Sequence, residues 1–286
     1  MAILIFFVAH YYLSLFTQTF YLHRYAAHKM FTMNNFWEKF FFLFTYICQG
    51  SSFLSPRAYA LLHRMHHAYS DTALDPHSPH FSNNAFDMMW KTKVIYNDVV
   101  KDVHEGAKRF EGDIPEWKWL DKFGGTVYSR LGWGTVYVLF YINFATAWWQ
   151  YLLLPIHFLM GPIHGAIVNW GGHKYGYQNF DNHDKSRNTL ALDFLAFGEL
   201  FQNNHHKYGM SPNFAARWFE IDPCWQVMRV LSLVRIIDLG DALVVRDHGK
   251  DIAVVGATVS LPSKASTDPD IVPASWAAPS FGVTVL

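Results

Sequence analysis

Four short groups of histidines, each at the end of or beside an apolar stretch, set the strictest constraint on how this chain can fold. They are His23 and His28 in H-R-Y-A-A-H, His63, His66 and His67 in H-R-M-H-H, His173 with Asn169 in N-W-G-G-H, and His205 and His206 with Gln202 in Q-N-N-H-H. To act together they must lie on one side of whatever the apolar stretches cross. Those stretches cover residues 1–22, 36–54, 131–154 and 155–170. The first is long enough to cross a hydrocarbon core, which takes roughly 20 residues. The second carries Glu38, Lys39 and Gln49, which are costly in hydrocarbon. A single crossing there would also part the first group from the second, so it is expected to lie in the interface. The third and fourth meet at Leu154-Pro155 and are expected to form a hairpin that returns to the starting side. Three spans and an interfacial helix then put every group on one face. Arg24, Lys29, Lys39, Arg130 and Lys174 near span ends mark that face as cytoplasmic, with the N-terminus outside.

Composition agrees with a bilayer. Only 16% of the chain is Asp, Glu, Lys or Arg, against about 25% in soluble domains. The opening MAILIFFVAH lacks the basic region and cleavage site of a secretory signal, so it is expected to be retained as a membrane segment. A net charge of zero gives no electrostatic reason to bind nucleic acid. Cys48 and Cys224 are far apart and suit neither a disulfide framework nor a thiolate metal site. The expected fold is an all-α integral membrane domain over residues 1–248, with a cytosolic helical cap built from the polar segments 69–130 and 175–248. From Gly249 the composition shifts to Ala, Val, Ser, Pro and Thr without histidine, and residues 249–286 are expected to be a disordered tail.

Helical spacing makes the groups chemically coherent. Positions i, i+3 and i+4 share a helix face, so His63, His66 and His67 project together, as do Gln202, His205 and His206. Asn169 and His173 are i, i+4 partners. His23 and His28, at i and i+5, diverge on a regular helix and need a change of backbone direction to converge. His10, His104, His157, His164 and His248 are scattered and read as surface or hydrogen-bonded core residues. A catalytic zinc takes three protein ligands and a structural one four, so eight clustered imidazoles point to two metal ions. Imidazole suits zinc, copper, iron and nickel. A redox pair of irons accounts for so many nitrogen ligands beside a membrane, because it can reduce dioxygen and attack an unactivated C–H bond.

Over residues 17–210 the chain resembles the membrane fatty acyl desaturases, specifically the stearoyl-CoA (delta-9 acyl-CoA) type. H-R-Y-A-A-H resembles the first family box. H-R-M-H-H-A-Y-S-D-T-A-L-D-P-H resembles the second, with its extension at Asp75, Pro76 and His77. N-W-G-G-H resembles the Asn-x-x-x-His segment, and G-E-L-F-Q-N-N-H-H the third box with Gly198 and Glu199 before it. The resemblance implies two irons held by His23, His28, His63, His66, His67, His173, His205 and His206, with Asn169 reaching one through a water. It implies an O2-dependent enzyme that places a cis double bond in a saturated acyl chain, at delta-9, within a kinked tunnel beneath the metals. The substrate would be carried by CoA, acyl-carrier protein or lipid.

Three departures stand out. Gln202 stands where the acyl-CoA branch has histidine, and offers a carbonyl oxygen instead. The chain begins at what resembles the family's second span. Tyr59 stands where the close branch tends to place Trp near the substrate. Gln49, Tyr59, Asp75, His77, Arg187 and Asn188 are candidates to touch substrate or orient ligands, with His80 a weaker one. No haem-binding module or Gly-rich dinucleotide fingerprint is evident, so electrons are expected from ferredoxin, rubredoxin or cytochrome b5 with its reductase. The rival readings are a membrane di-iron hydroxylase or ketolase of a lipid or hydrocarbon, and a histidine-rich metal transporter. A transporter would place polar ligands near the bilayer midplane, and here they cluster at span ends.

Overall fold

A computed structural model of the chain describes residues 1–240, 244–247 and 252–255. The first apolar stretch forms α1 (Ala2–Phe16), and the same rod continues as a π-helix over Thr17–Ala27. Together Ala2–Ala27 is the one helix among the described residues long and apolar enough by itself to cross a membrane. Leu4, Ile5, Val8 and Tyr12 are exposed along one face of α1, whereas every residue of the π segment is buried.

Helix α2 (Asn35–Gln49) starts at Asn34, whose side chain accepts from the Trp37 N–H at 3.1 Å. Its 15 residues span about 22 Å, short of a hydrocarbon core of about 30 Å. Phe36, Phe40, Leu43 and Ile47 are exposed at the i, i+4, i+7 spacing of one helix face. Phe41, Phe42, Thr45 and Gln49 turn inward to pack under the π segment. Helix α3 (Pro56–Tyr69) opens on Ser55-Pro56, with the serine hydroxyl capping Ala58 N–H.

Helices α4 (Ala85–Val100) and α5 (Lys118–Gly124) lead to α6 (Val127–Phe144). The chain turns at residues 145–147 rather than at the expected Leu154-Pro155. Pro155 instead stands at the first turn of α7 (Leu154–Phe158), where its missing N–H costs nothing. After a break comes α8 (Met160–Ala166), a π turn over Ile167–Gly171 and α9 (Gly172–Lys174). The segments Trp148–Phe158 and Met160–Lys174 pass the length and hydropathy test together but bend by 73°. His157 and His10 link this bent pair to α1 and α6. Their Nδ1 atoms lie 2.6 Å apart, and Tyr141 Oη is 2.9 Å from His157 Nε2. They are thus hydrogen-bonded core histidines, as read from the sequence.

Short helices α10 (Gln202–Lys207) and α11 (Pro223–Leu233) complete the helical body. Beyond it two short strands, Val244–Asp247 and Ile252–Val255, pair antiparallel. The second falls inside the expected disordered tail, and residues 256–286 of that tail lie outside the described residues.

Two buried arginines, each next to a histidine in sequence, tie these pieces together. Arg24 pairs with Asp222 at 2.8 Å, both wholly buried, with its guanidinium 4.0 Å above the Phe214 ring. Asp222 also accepts from the Phe214 and Trp225 N–H groups, so it caps α11. Gly198 has a φ of +99°, and a Cβ there would meet Asp222 Oδ1 at 2.2 Å. Arg64 donates to the carbonyls of Ala27 (2.9 Å), Phe110 and Gly112 (both 2.8 Å), fixing α3 to the end of the first helix. Removing one partner of a buried pair strands the other charge, at about 3–5 kcal/mol. Asp222→Ala is therefore expected to lower stability by that order, whereas a substitution at exposed Lys118 changes little; thermal unfolding of both in detergent checks this.

Candidate metal centre

The π segment explains how His23 and His28 come together. Five residues on an α-helix are about 140° out of register. In a π-helix the N–H of residue i+5 bonds back to residue i, and here His28 N–H donates to the His23 carbonyl at 3.1 Å. No abrupt change of direction is needed: one widened turn turns both imidazoles toward α3. A second π turn, Ile167–Gly171, carries half-buried Asn169 just before His173.

Five imidazoles converge on one point: His23, His28, His63, His67 and His205 offer nitrogens all within 4.8 Å of one another. The Nε2–Nε2 separations are 2.7 Å for His28–His63, 3.0 Å for His63–His67, 2.9 Å for His67–His205 and 3.0 Å for His23–His205. Ligands about 2.1 Å from a common metal and at right angles to each other stand about 3.0 Å apart, which these spacings match. Next to this group, His66, His173 and His206 form a second cluster, with the first and last Nε2 atoms 3.2 Å apart. His173 Nε2 is buried without a protein hydrogen-bond partner. All eight expected histidines thus fall into two adjoining nitrogen sets, and the donor chemistry fits two metal ions.

Four of the outer nitrogens are held by carboxylates. His23 Nδ1 lies 2.5 Å from Glu199, His66 Nδ1 2.9 Å from Asp75 and His173 Nδ1 2.9 Å from Asp71, while His206 Nδ1 bonds Asp184. A carboxylate that accepts a hydrogen bond from Nδ1–H keeps the proton on that nitrogen and leaves Nε2 free for a metal. Burial pushes Asp71 up, but the hydrogen bond and charge of His173 outweigh it, and its pKa falls to about 2. Burial is likewise outweighed at Asp75 and Asp184, by His66 and His206 respectively, and at Glu199 by His23, so all three are held below the usual carboxylate range. At His66 burial is outweighed by Asp75, and its pKa rises. His28, His63, His67 and His205 are pushed well below the usual imidazole range, first by burial and then by neighbouring histidines, with Arg64 and Arg24 also acting on His28.

The other expected residues sit as follows. Gln202 is buried at the start of α10, and its amide donates to the Glu199 carbonyl at 2.7 Å. Its Cγ lies so close to Gly172 that a Cβ there would meet it at 2.4 Å, which puts Gln202 beside His173. Tyr59 stacks on His63 with ring centroids 6.0 Å apart. Gln49 is fully buried and accepts from Leu54 N–H at 2.9 Å. His77 packs on His66 with ring centroids 4.3 Å apart. His80 Nε2 lies 2.9 Å from the His173 carbonyl oxygen. Arg187 N–H donates to the Gly172 carbonyl at 2.6 Å. Asn188, wholly buried, donates to Asn204 Oδ1 at 2.8 Å. Asp71 and Asp184 were not singled out from the sequence. Asp71 stands four residues after His67 and Asp184 twenty-two before His206, so only the first had even a local signal.

Residues 1–232, which contain all four histidine groups, match the model of the family described as fatty acid desaturase. The chain is 30% identical over 228 residues to an sn-1 stearoyl-lipid 9-desaturase of Anabaena variabilis, covering 77% of each. It is 32% identical over 216 residues to an sn-1 stearoyl-lipid 9-desaturase of Synechocystis sp., covering 74% of this chain and 63% of that protein. An acyl-CoA 5-desaturase of Anemone leveillei is 27% identical over 213 residues, covering 73% of this chain and 62% of that protein.

Stripped of metal, the site should be sensitive to acid. The four depressed histidines are neutral when folded, so their stabilisation is present above the unfolded pKa of about 6.5 and lost as pH falls below it. Each group costs up to about 1.4 kcal/mol per pH unit, so four together erase a typical stability of about 5–15 kcal/mol within one to three units. Chelator-treated protein is expected to lose tryptophan-detected tertiary structure between about pH 6 and 4, with the metal-loaded protein resisting further. A metal-free midpoint no higher than the metal-loaded one would contradict this. Asp71→Asn is expected to weaken metal retention about 10-fold or more, read as metal content after dialysis against a chelator.

Proposed function

The chain belongs to the fatty acid desaturase family, and we propose that it introduces a cis double bond into a saturated long-chain acyl group at delta-9. The observation that carries this reading is the pair of adjoining all-histidine sets, five and three imidazoles, with carboxylates on their outer faces. The balanced reaction is –CH2–CH2– plus O2, two electrons and two protons, giving –CH=CH– and two waters. Two bound irons would supply the reduction of dioxygen and the oxidising power to remove both hydrogens. A separate carrier, ferredoxin, rubredoxin or cytochrome b5 with its reductase, would supply the electrons.

The chain's own residues act by holding and excluding. Glu199, Asp71, Asp75 and Asp184 keep the Nδ1 protons of His23, His173, His66 and His206, and so aim the Nε2 lone pairs inward. Arg24 and Arg64 lock the ends of the segments that carry the first two boxes. Asn169 would reach one of the metals through a water, and Gln202 would offer its carbonyl oxygen beside His173. The burial of the imidazoles keeps bulk water from the reacting carbons. The acyl chain approaches past Tyr59 and Gln49, and its head group, on CoA, acyl-carrier protein or lipid, meets Arg187, Asn188 and the polar loop of Asp75 and His77. The depth at which the chain stops then selects the bond.

The same reading sets the topology. Ala2–Ala27, α6 and the bent pair of segments cross the bilayer, and α2 rests in the interface with Phe36, Phe40, Leu43 and Ile47 toward lipid. The metal sets then lie on the cytoplasmic face of a multi-pass protein.

Expression in a host lacking its own desaturase, followed by fatty acid analysis, tests the reaction. Cis-9 monoenes are expected from the wild type and none from His66→Ala. An alcohol without alkene would replace the reading with a hydroxylase, and unchanged unsaturation in His66→Ala would overturn the ligand assignment.

A further inference from the structure

Two segments near the third histidine box carry an exposed apolar surface. Leu192, Phe194 and Leu195 on one, and Trp218, Phe219 and Ile221 on the other, are all exposed, Trp218 by 83%. The segments lie side by side, because Ile221 N–H donates to the Ala191 carbonyl at 3.1 Å and Leu192 bridges to Ile221. Soluble surfaces rarely gather so many large apolar side chains in one patch.

The first segment is a tight knuckle. The Asp193 carboxylate, wholly buried, accepts from the N–H groups of Ala196 (2.8 Å), Gly198 (3.0 Å) and Leu200 (2.8 Å). Folding the chain around that carboxylate leaves Leu192, Phe194 and Leu195 outward and takes Glu199 inward to His23. The knuckle is also fastened to the first helix. Tyr11 Oη donates to the Leu195 carbonyl at 2.8 Å, and the Phe197 ring lies 6.4 Å from that of Tyr12 and 6.2 Å from that of Phe16. Tyr11 comes twelve residues before His23. The attachment is therefore well down the rod from the nitrogen sets, within the stretch long and apolar enough to cross a membrane. The exposed side chains of the knuckle thus extend the exposed face of α1 that runs through Val8 and Tyr12. The carboxylates of the two segments, Asp193, Glu199 and Glu220, are buried, which leaves half-buried Arg217 as the charge at the patch. Trp and Arg at the rim of an apolar patch suit the boundary between acyl chains and phosphates.

We propose that the knuckle and the adjoining segment 218–221 dip into the membrane surface, with Leu192, Phe194 and Leu195 among acyl chains and Arg217 and Trp218 at the headgroups. The bilayer then braces the turn that carries Glu199 to His23. The inference rests on the crossing of the bilayer by α1 proposed above, and its test reads the two separately.

The full chain in lipid nanodiscs carries one nitroxide label at a time, on Leu192→Cys, Phe194→Cys, Trp218→Cys, Val8→Cys or Lys108→Cys. Cys48 and Cys224 are buried, and wild type treated with the label sets the background. Lys108 is exposed on the polar segment between α4 and α5. Paramagnetic resonance reads each label's collisions with oxygen, which gathers in hydrocarbon, and with a nickel chelate, which stays in water. Thermal unfolding establishes that each variant keeps the wild-type fold, and two knuckle positions guard against the loss of one. Labels at Leu192 and Phe194 are expected to match Val8, with oxygen access several-fold above that at Lys108 and nickel access several-fold below. The label at Trp218 should fall between. Nickel access at the knuckle equal to that at Lys108 would overturn the proposal. Shielding from both agents, with dipolar coupling between copies, would also overturn it and make the patch a protein interface. A water-facing Val8 would sink the crossing of α1 and this proposal with it, whereas a lipid-facing Val8 beside a water-facing knuckle sinks this proposal alone.

Discussion

Five imidazoles within a few ångströms of one another do not hold themselves together, and the packing around them follows from that. Their nitrogens gather on one point, and burial denies them water and pushes His28, His63, His67 and His205 well below the usual imidazole range. A shared cation turns this repulsive arrangement into a bound one. Everything around the point therefore has to keep rings in place before and after the ion arrives. A carboxylate on Nδ1 does so for the ring of His23 and for all three rings of the neighbouring set, and the buried arginines do so for the helices.

The two arginines show how tightly the motif residues are used. In both H-R pairs the histidine faces the nitrogen sets and the arginine turns back into the protein. Arg24 reaches Asp222 near the end of the helical body, and Arg64 reaches the carbonyls that close the first helix. A buried guanidinium is tolerable only with such a full set of acceptors. The same residues that carry the chemistry thus set the order in which distant segments must pack: the first helix, α3 and α11 cannot separate without stranding a charge.

The apolar helices reach the nitrogen sets at widened helical turns. The π segment at Thr17–Ala27 and the π turn at Ile167–Gly171 both occur where an apolar helix reaches the metal sets. A π turn shifts the register of side chains without stopping the rod. It lets a helix keep an exposed apolar face at one end and deliver imidazoles to an interior point at the other.

The sequence by itself determined the division of the clustered histidines into four groups and the i, i+3, i+4 geometry of His63, His66 and His67, because spacing is a local property. The family was legible for the same reason: its motifs are short and contiguous. Tertiary structure decided how eight histidines divide between a set of five and a set of three, and that Asp71 and Asp184 face ligands far from them in sequence. It also moved the hairpin turn to residues 145–147 and let His23 meet His28 through a π-helix rather than at a bend. Each of these depends on which distant segment lies opposite, or on a backbone hydrogen bond one residue longer than usual. Neither leaves a mark in the spacing of residues along the chain.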